Sequence, residues 1–123
     1  MGSSQEGSAR VLDRLFEIIA ARRDERPEGS YVVSLLDGGW QAIEAKVREE
    51  ALELVEAAQS ESDQALAHET ADLLFHVWVM LASRGVEPSA VYAELGRRFG
   101  IGGFEEKASR AHKEEKAGKG ETE

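Results

Sequence analysis

Two short stretches of the sequence hold side chains whose types and spacing could do chemistry. In Glu49-Glu50-Ala51-Leu52-Glu53, Glu50 and Glu53 are three residues apart, so on a helix they project from one face, with Glu49 alongside Glu53 at a spacing of four. Alone, this pattern is what many solvated helix faces show. The second stretch is less ordinary. Between Asp63 and Arg84 the titratable residues are His68, Glu69, Asp72 and His76, and from Leu73 onward the segment is apolar on nearly every side. Glu69, Asp72 and His76 follow steps of three and four and share a face. A carboxylate on so apolar a helix must be paired, bind a cation or sit at a solvent-filled opening, because burying it bare costs too much.

The polar run Gln59-Ser60-Glu61-Ser62-Asp63 between the two stretches offers a turn, so the segments are predicted to form an antiparallel helical hairpin. Facing residues in such a hairpin are equidistant from its turn. Glu50 with Asp72, and Glu53 with Glu69, are both centred on position 61. Helix axes pack about 8–10 Å apart, so four carboxylates could converge on one small volume. They repel one another unless a cation neutralises them. A set of hard oxygen donors favours Mg²⁺, with Mn²⁺ as a substitute, over zinc, and a carboxylate-held Mg²⁺ that keeps several waters is usually completed by substrate phosphates. The competing arrangement is local pairing, with Lys46 and Arg48 serving Glu50 and Glu53 while His68 and His76 serve Glu69 and Asp72. A lone His such as His76 on an apolar face is more often a satisfied core or supporting residue than a metal ligand.

Cations near a clamped polyphosphate would bind its outer phosphates. Lys46 lies one turn before Glu50, Arg97-Arg98 close a later segment, and Lys107 and Arg110 follow the glycines at 102 and 103. Each is also readable as an ordinary surface residue.

These side chains need an all-α scaffold to place them. Residues 1–7 are small and polar and are expected to be disordered. Ser8 can cap a helix running to about Arg23, with Val11, Leu12, Leu15, Phe16, Ile18 and Ile19 on the helical period, before Pro27, Gly29 and Ser30 break it. Tyr31–Leu36 has the composition of a strand, but a single short strand would have no partner, which favours a helical turn or loop. A helix is expected from Trp40 to about Gln59, with Ile43, Val47, Ala51, Leu54, Val55 and Ala58 as its apolar stripe. Another spans Asp63 to Arg84, with Gly85 just past its end, and Pro88 opens a last one ending near Phe99-Gly100. The domain is thus expected over 8–110, followed by a charged, disordered tail over 111–123. The long apolar surface of residues 73–82 exceeds what a small monomer easily covers, so a homodimer with sites near its interface is expected.

Composition narrows the functions available. With 123 residues the chain is one domain, and without cysteine it can hold neither a disulfide nor a thiolate zinc site. A net charge of −9 argues against nucleic acid or anionic membrane as a partner. Neither a membrane-length apolar run nor a signal-peptide pattern is present, so a cytoplasmic location is expected.

The motif Glu49-Glu50-Ala51-Leu52-Glu53 followed by Glu69-Thr70-Ala71-Asp72 resembles the EExxE…ExxD signature of the all-α nucleoside triphosphate pyrophosphohydrolases, among them the MazG proteins and dimeric dUTPases. Further segments bring the chain closest to the phosphoribosyl-ATP pyrophosphatase family of histidine biosynthesis. These are Val11-Leu12-Asp13-Arg14-Leu15, Pro27-Glu28-Gly29-Ser30-Tyr31, Lys46-Val47-Arg48-Glu49-Glu50-Ala51, Ala71-Asp72-Leu73-Leu74-Phe75-His76, Arg97-Arg98-Phe99 and Glu106-Lys107-Ala108-Ser109-Arg110. The resemblance spans about residues 9–110. The family often has Thr where this chain has Val32, and Tyr where it has Phe75. The resemblance implies Mg²⁺-dependent hydrolysis of phosphoribosyl-ATP to phosphoribosyl-AMP and pyrophosphate. It implies Glu50, Glu53, Glu69 and Asp72 as metal ligands, Glu49 as a ligand or the base for water, and Ser30, Tyr31, Lys46, Arg98, Lys107 and Arg110 as substrate contacts. Many relatives carry a fused cyclohydrolase domain with zinc-binding cysteines; with none here, a separate cyclohydrolase is expected for the next reaction. The alternatives are a house-cleaning dUTP or dNTP pyrophosphatase and a non-catalytic, metal-stabilised helical interaction module.

Overall fold

The computed structural model describes residues 7–100, which hold five helices and no strand. The order is α1 (Arg10–Glu25), α2 (Tyr31–Asp37), α3 (Gly39–Ser60), α4 (Asp63–Arg84) and α5 (Pro88–Phe99). The expected tail over 111–123, and Lys107 and Arg110, lie outside the described residues. The chain divides into two compact units after Val86, and α5 belongs to the second.

Helices α1 to α4 form the first unit. The α3–α4 hairpin is its most extensive packing, α1 lies on α4, and α2 bridges α1 and α3. Phe16 and Ile19 of α1, Val32 and Leu35 of α2, Ile43 and Ala57 of α3, and Trp78, Val79 and Ala82 of α4 are buried. Burial of each larger apolar side chain contributes about 1.5–3 kcal/mol relative to leaving it in water. Two polar bonds fix α1 on α4 along with this packing. The Trp78 indole Nε1–H donates to the Leu12 carbonyl at 2.9 Å, and Arg23 Nη1 donates to the Ala82 carbonyl at 2.9 Å. The second adds a side-chain donor to a carbonyl in the last turn of α4 that also accepts from the Gly85 N–H at 3.1 Å.

Local sequence explains where the helices start and stop. The turn between α3 and α4 is only Glu61-Ser62, and the Ser62 hydroxyl oxygen accepts from Ala65 N–H at 3.1 Å, capping α4. Gly85 ends α4 in the left-handed conformation (φ 70°). Helix α1 starts two residues later than Ser8, whose hydroxyl accepts from Arg10 N–H at 3.2 Å, and it continues past Arg23 until Arg26 turns left-handed (φ 51°). The ambiguous run 31–36 is a two-turn helix, because the Ser30 hydroxyl accepts from Val33 N–H at 3.2 Å while Val32 and Leu35 are buried. Between α2 and α3 the glycine pair is required twice over. A Cβ on Gly38 would stand 2.7 Å from that of Ala42, and Gly39 has φ +78°.

In the second unit, α5 starts with Pro88 at its first turn and stops at Gly100 in the left-handed conformation. Arg97 pairs with Glu94, and the Arg98 guanidinium lies over the Phe99 ring at 5.7 Å.

Candidate active site

The hairpin brings the acidic pairs to one level. Glu50 of α3 and Glu69 and Asp72 of α4 each offer a carboxylate oxygen, and these oxygens lie within 4.8 Å of one another. Glu53 stands against Glu69, near enough that a shared proton would join the two carboxyls, and within electrostatic reach of Glu50. Glu50 is buried, with only 6% of its surface exposed. One oxygen each of Glu50 and Glu69 is fully buried without any hydrogen-bond partner. Orphaned buried carboxylate oxygens are rare and costly in folded proteins.

Electrostatics record the same crowding. Burial pushes the Glu50 carboxyl above the ordinary carboxylate range, and Glu53 and Asp72 add repulsion that Lys46, and His76 only in its charged form, partly offset. Glu69 is raised by desolvation first and by Glu53 next, against a weaker opposing pull from His68. Two orphaned oxygens, converging carboxylates and raised carboxyls fit a hard divalent cation, which would fill the coordination left open and remove the repulsion. Among the described residues this is the one grouping of metal-ligating side chains close enough to hold an ion.

Around this cluster the local pairs form only in part. Lys46 Nζ lies 3.4 Å from Glu49 and 3.7 Å from Glu50, while Arg48 turns away to Glu44. Desolvation lowers the Lys46 ammonium, but the attraction of Tyr31 once ionised, with that of Glu49 and Glu50, outweighs it and leaves the group above the usual lysine range. His68 reaches the Asp72 carboxylate at 3.4 Å. His76 does not. Its Nδ1 bonds to the main-chain carbonyl of Asp72 at 2.9 Å and its Nε2 to the Tyr31 hydroxyl at 2.8 Å.

The residues expected from sequence therefore separate. Glu50, Glu53, Glu69 and Asp72 gather, and Lys46 and Tyr31 flank them. Glu49 is exposed and pairs with Lys46, and it is not among the three converging carboxylates. Ser30 uses its hydroxyl oxygen to cap α2, which leaves its O–H to donate elsewhere. Arg98 sits on α5 in the other compact unit. Sequence reasoning left His76 as a supporting residue and did not connect it to Tyr31, 45 positions earlier. The one available signal was that His76 lies a helical turn beyond Asp72 on the same face.

Fold and site together define an all-helical protein whose central hairpin presents a carboxylate cage, the class of the all-α pyrophosphohydrolases. A family model described as phosphoribosyl-ATP pyrophosphohydrolase matches residues 12–99, and the chain belongs to that family. It is 48% identical over 107 residues to the phosphoribosyl-ATP pyrophosphatase of Rhodopirellula baltica, covering 85% of this chain and 89% of that protein. The protein of the same name from Trichlorobacter lovleyi is 47% identical over 100 residues, 81% of this chain and 93% of its own. That of Erythrobacter litoralis is 50% identical over 100 residues, covering 81% and 96%.

Proposed function

We propose that this chain hydrolyses phosphoribosyl-ATP to phosphoribosyl-AMP and pyrophosphate, using one water to open the anhydride between the α- and β-phosphates. The family membership and the relatives' names support the substrate. The observation that carries the site is the pair of orphaned, buried oxygens on Glu50 and Glu69, two carboxylates that converge with Asp72. Glu50, Glu69 and Asp72, with Glu53 beside them, would hold Mg²⁺. A divalent cation bound there supplies charge neutralisation for the triphosphate and polarisation of a water.

The remaining work falls to the chain's own groups. Lys46, bound to two carboxylates and still cationic, attracts a phosphate oxygen at the edge of the cage. Glu49 is exposed and held by Lys46 rather than by the cluster, which suits it to accept the proton released by the attacking water. Arg98, Lys107 and Arg110 remain candidates for the outer phosphates. The discriminating experiment is pyrophosphate release, with Mg²⁺ and with a chelator, compared between phosphoribosyl-ATP, ATP and a panel of dNTPs including dUTP. Mg²⁺-dependent release that strongly favours phosphoribosyl-ATP is expected. Preference for a dNTP would move the chain to the house-cleaning group, and release from none would leave only a metal-stabilised module.

The same reading includes a homodimer. On α3, Trp40 and Val55 are 55% and 53% exposed and flank the half-buried Val47, Ala51 and Leu54, continuing the apolar stripe beyond what α4 covers. Light scattering is expected to give twice 13.5 kDa; a mass of one chain would contradict it. Among the described residues, no helix is long and apolar enough to cross a membrane.

A further inference from the structure

His76 is buried, with 6% of its surface exposed, and both of its ring nitrogens are committed. A main-chain carbonyl can only accept, so Nδ1, bonded to the Asp72 oxygen, carries the proton. In the neutral ring Nε2 is then bare and can only accept, and the Tyr31 O–H must donate to it. With the ring neutral, this geometry uses up the one proton of Tyr31 and leaves its oxygen with lone pairs alone. The aromatic packing holds that orientation. Tyr31 stacks on Phe75 at 6.0 Å, and His76 meets both rings edge-on, at 5.7 and 5.0 Å.

An oxygen that only accepts is poorly matched to phosphate, whose oxygens also accept. It is well matched to a hydroxyl. Tyr31 lies within electrostatic reach of Lys46, which is held to Glu50 of the carboxylate cage. It also lines an open hollow of about 620 Å³, together with Arg26, Ser30, Val33, Ser34 and Asp37. In a nucleotide whose polyphosphate lies at the cage, the donors nearest the phosphates are sugar hydroxyls.

We propose that His76 is a positioning residue that fixes the Tyr31 hydroxyl as a hydrogen-bond acceptor, and that Tyr31 thereby reads a sugar hydroxyl of the nucleotide. The inference rests on the phosphoribosyl-ATP reading above. It assigns Tyr31 the sugar rather than the phosphates, and it gives buried His76 a function that does not require touching metal or substrate.

The test has three parts. First, nitrogen NMR of the intact protein reads the His76 tautomer directly, with no activity needed. A protonated Nδ1 and bare Nε2 are expected; a protonated Nε2, in the neutral ring or in an imidazolium, would overturn the proposal. Second, Tyr31→Phe and His76→Asn are expected to raise KM by about 3- to 10-fold, more than they lower kcat, the size of one lost hydrogen bond. His76→Gln, whose amide oxygen can take the place of Nε2, should recover most of the loss, and the Tyr31→Phe/His76→Asn double variant should be no worse than either single one. Additive losses, or Mn²⁺ affinity falling in step with KM, would show a merely structural role and overturn the proposal. Should His76→Asn not fold, Tyr31→Phe and His76→Gln carry the comparison. Third, substrate analogues lacking one sugar hydroxyl at a time should include one that wild type penalises and Tyr31→Phe does not. Equal penalties in both proteins for every analogue would overturn it. An inactive wild type defeats the substrate reading; an active wild type whose KM is indifferent to Tyr31→Phe defeats this proposal alone.

Discussion

Glu50→Gln is expected to lower Mg²⁺-dependent pyrophosphate release by about 10²-fold or more, since losing even a residue that only supports a ligand costs metal sites about 10- to 100-fold. Gln fills nearly the same volume as Glu, so α3 and its packing against α4 survive, and helical content by circular dichroism stays at the wild-type level. What disappears is a negative oxygen that is buried, faces Glu69 and Asp72, and has no protein partner. The variant carries a second signature. Burial, then Glu53 and Asp72, raise the Glu50 carboxyl in the folded protein, so the folded state favours its protonated form more than the unfolded chain does. That preference stabilises the metal-free protein below the unfolded pKa, near 4.5, and is lost as pH rises through the raised folded value. At neutral pH the charged Glu50 is therefore a liability without metal, and Gln relieves it. In chelator, Glu50→Gln should melt above wild type at pH 7.5, with the gap closing as pH falls toward 4.5. With Mg²⁺ present the order should reverse. A variant with full activity, or one that melts below wild type in chelator at neutral pH, would remove Glu50 from the cage.

Much of this site was legible before any coordinates, and the reason is geometric. Once a helix is bounded by Ser62 and Gly85 and preceded by a two-residue turn, its register against α3 is fixed, and the pairs 50/72 and 53/69 must come level. Caps act over three or four residues, so sequence specifies them well. The Tyr31–Leu36 run was ambiguous because six apolar residues fit several conformations, and what decides is tertiary: Val32 and Leu35 find burial only when α2 bridges α1 and α3. Glu49 read as part of the motif because it adjoins Glu50, yet successive helix residues point about 100° apart, and the side chain pairs outward with Lys46. The Tyr31–His76 bond was out of reach for a related reason. It joins positions 45 apart through the packing of a short helix whose existence sequence alone did not settle.

Removing the divalent cation is expected to abolish pyrophosphate release and lower the melting temperature, with a drop whose size depends on pH in a direction the carboxylates dictate. A cation at 100 times its dissociation constant stabilises the folded state by about 2.7 kcal/mol, which for a domain of this size is ~10 °C or more. Protons compete for the same oxygens. Glu50, raised by burial and by Glu53 and Asp72, and Glu69, raised by desolvation and by Glu53, hold protons to higher pH than ordinary carboxyls. Without metal, those protons partly relieve the crowding as pH falls; with metal, they must be expelled. The stabilisation conferred by Mg²⁺ or Mn²⁺ therefore shrinks on acidification, as protons return to these carboxyls at higher pH than to ordinary ones. Calorimetric titration of Mn²⁺ in two buffers of different ionisation enthalpy reads this directly. Proton release on binding is expected to rise, and apparent affinity to fall, as pH is lowered. An affinity flat from pH 8 to pH 5, with no proton release anywhere in that range, would mean that the cation binds away from Glu50 and Glu69, and the cage would lose its assignment.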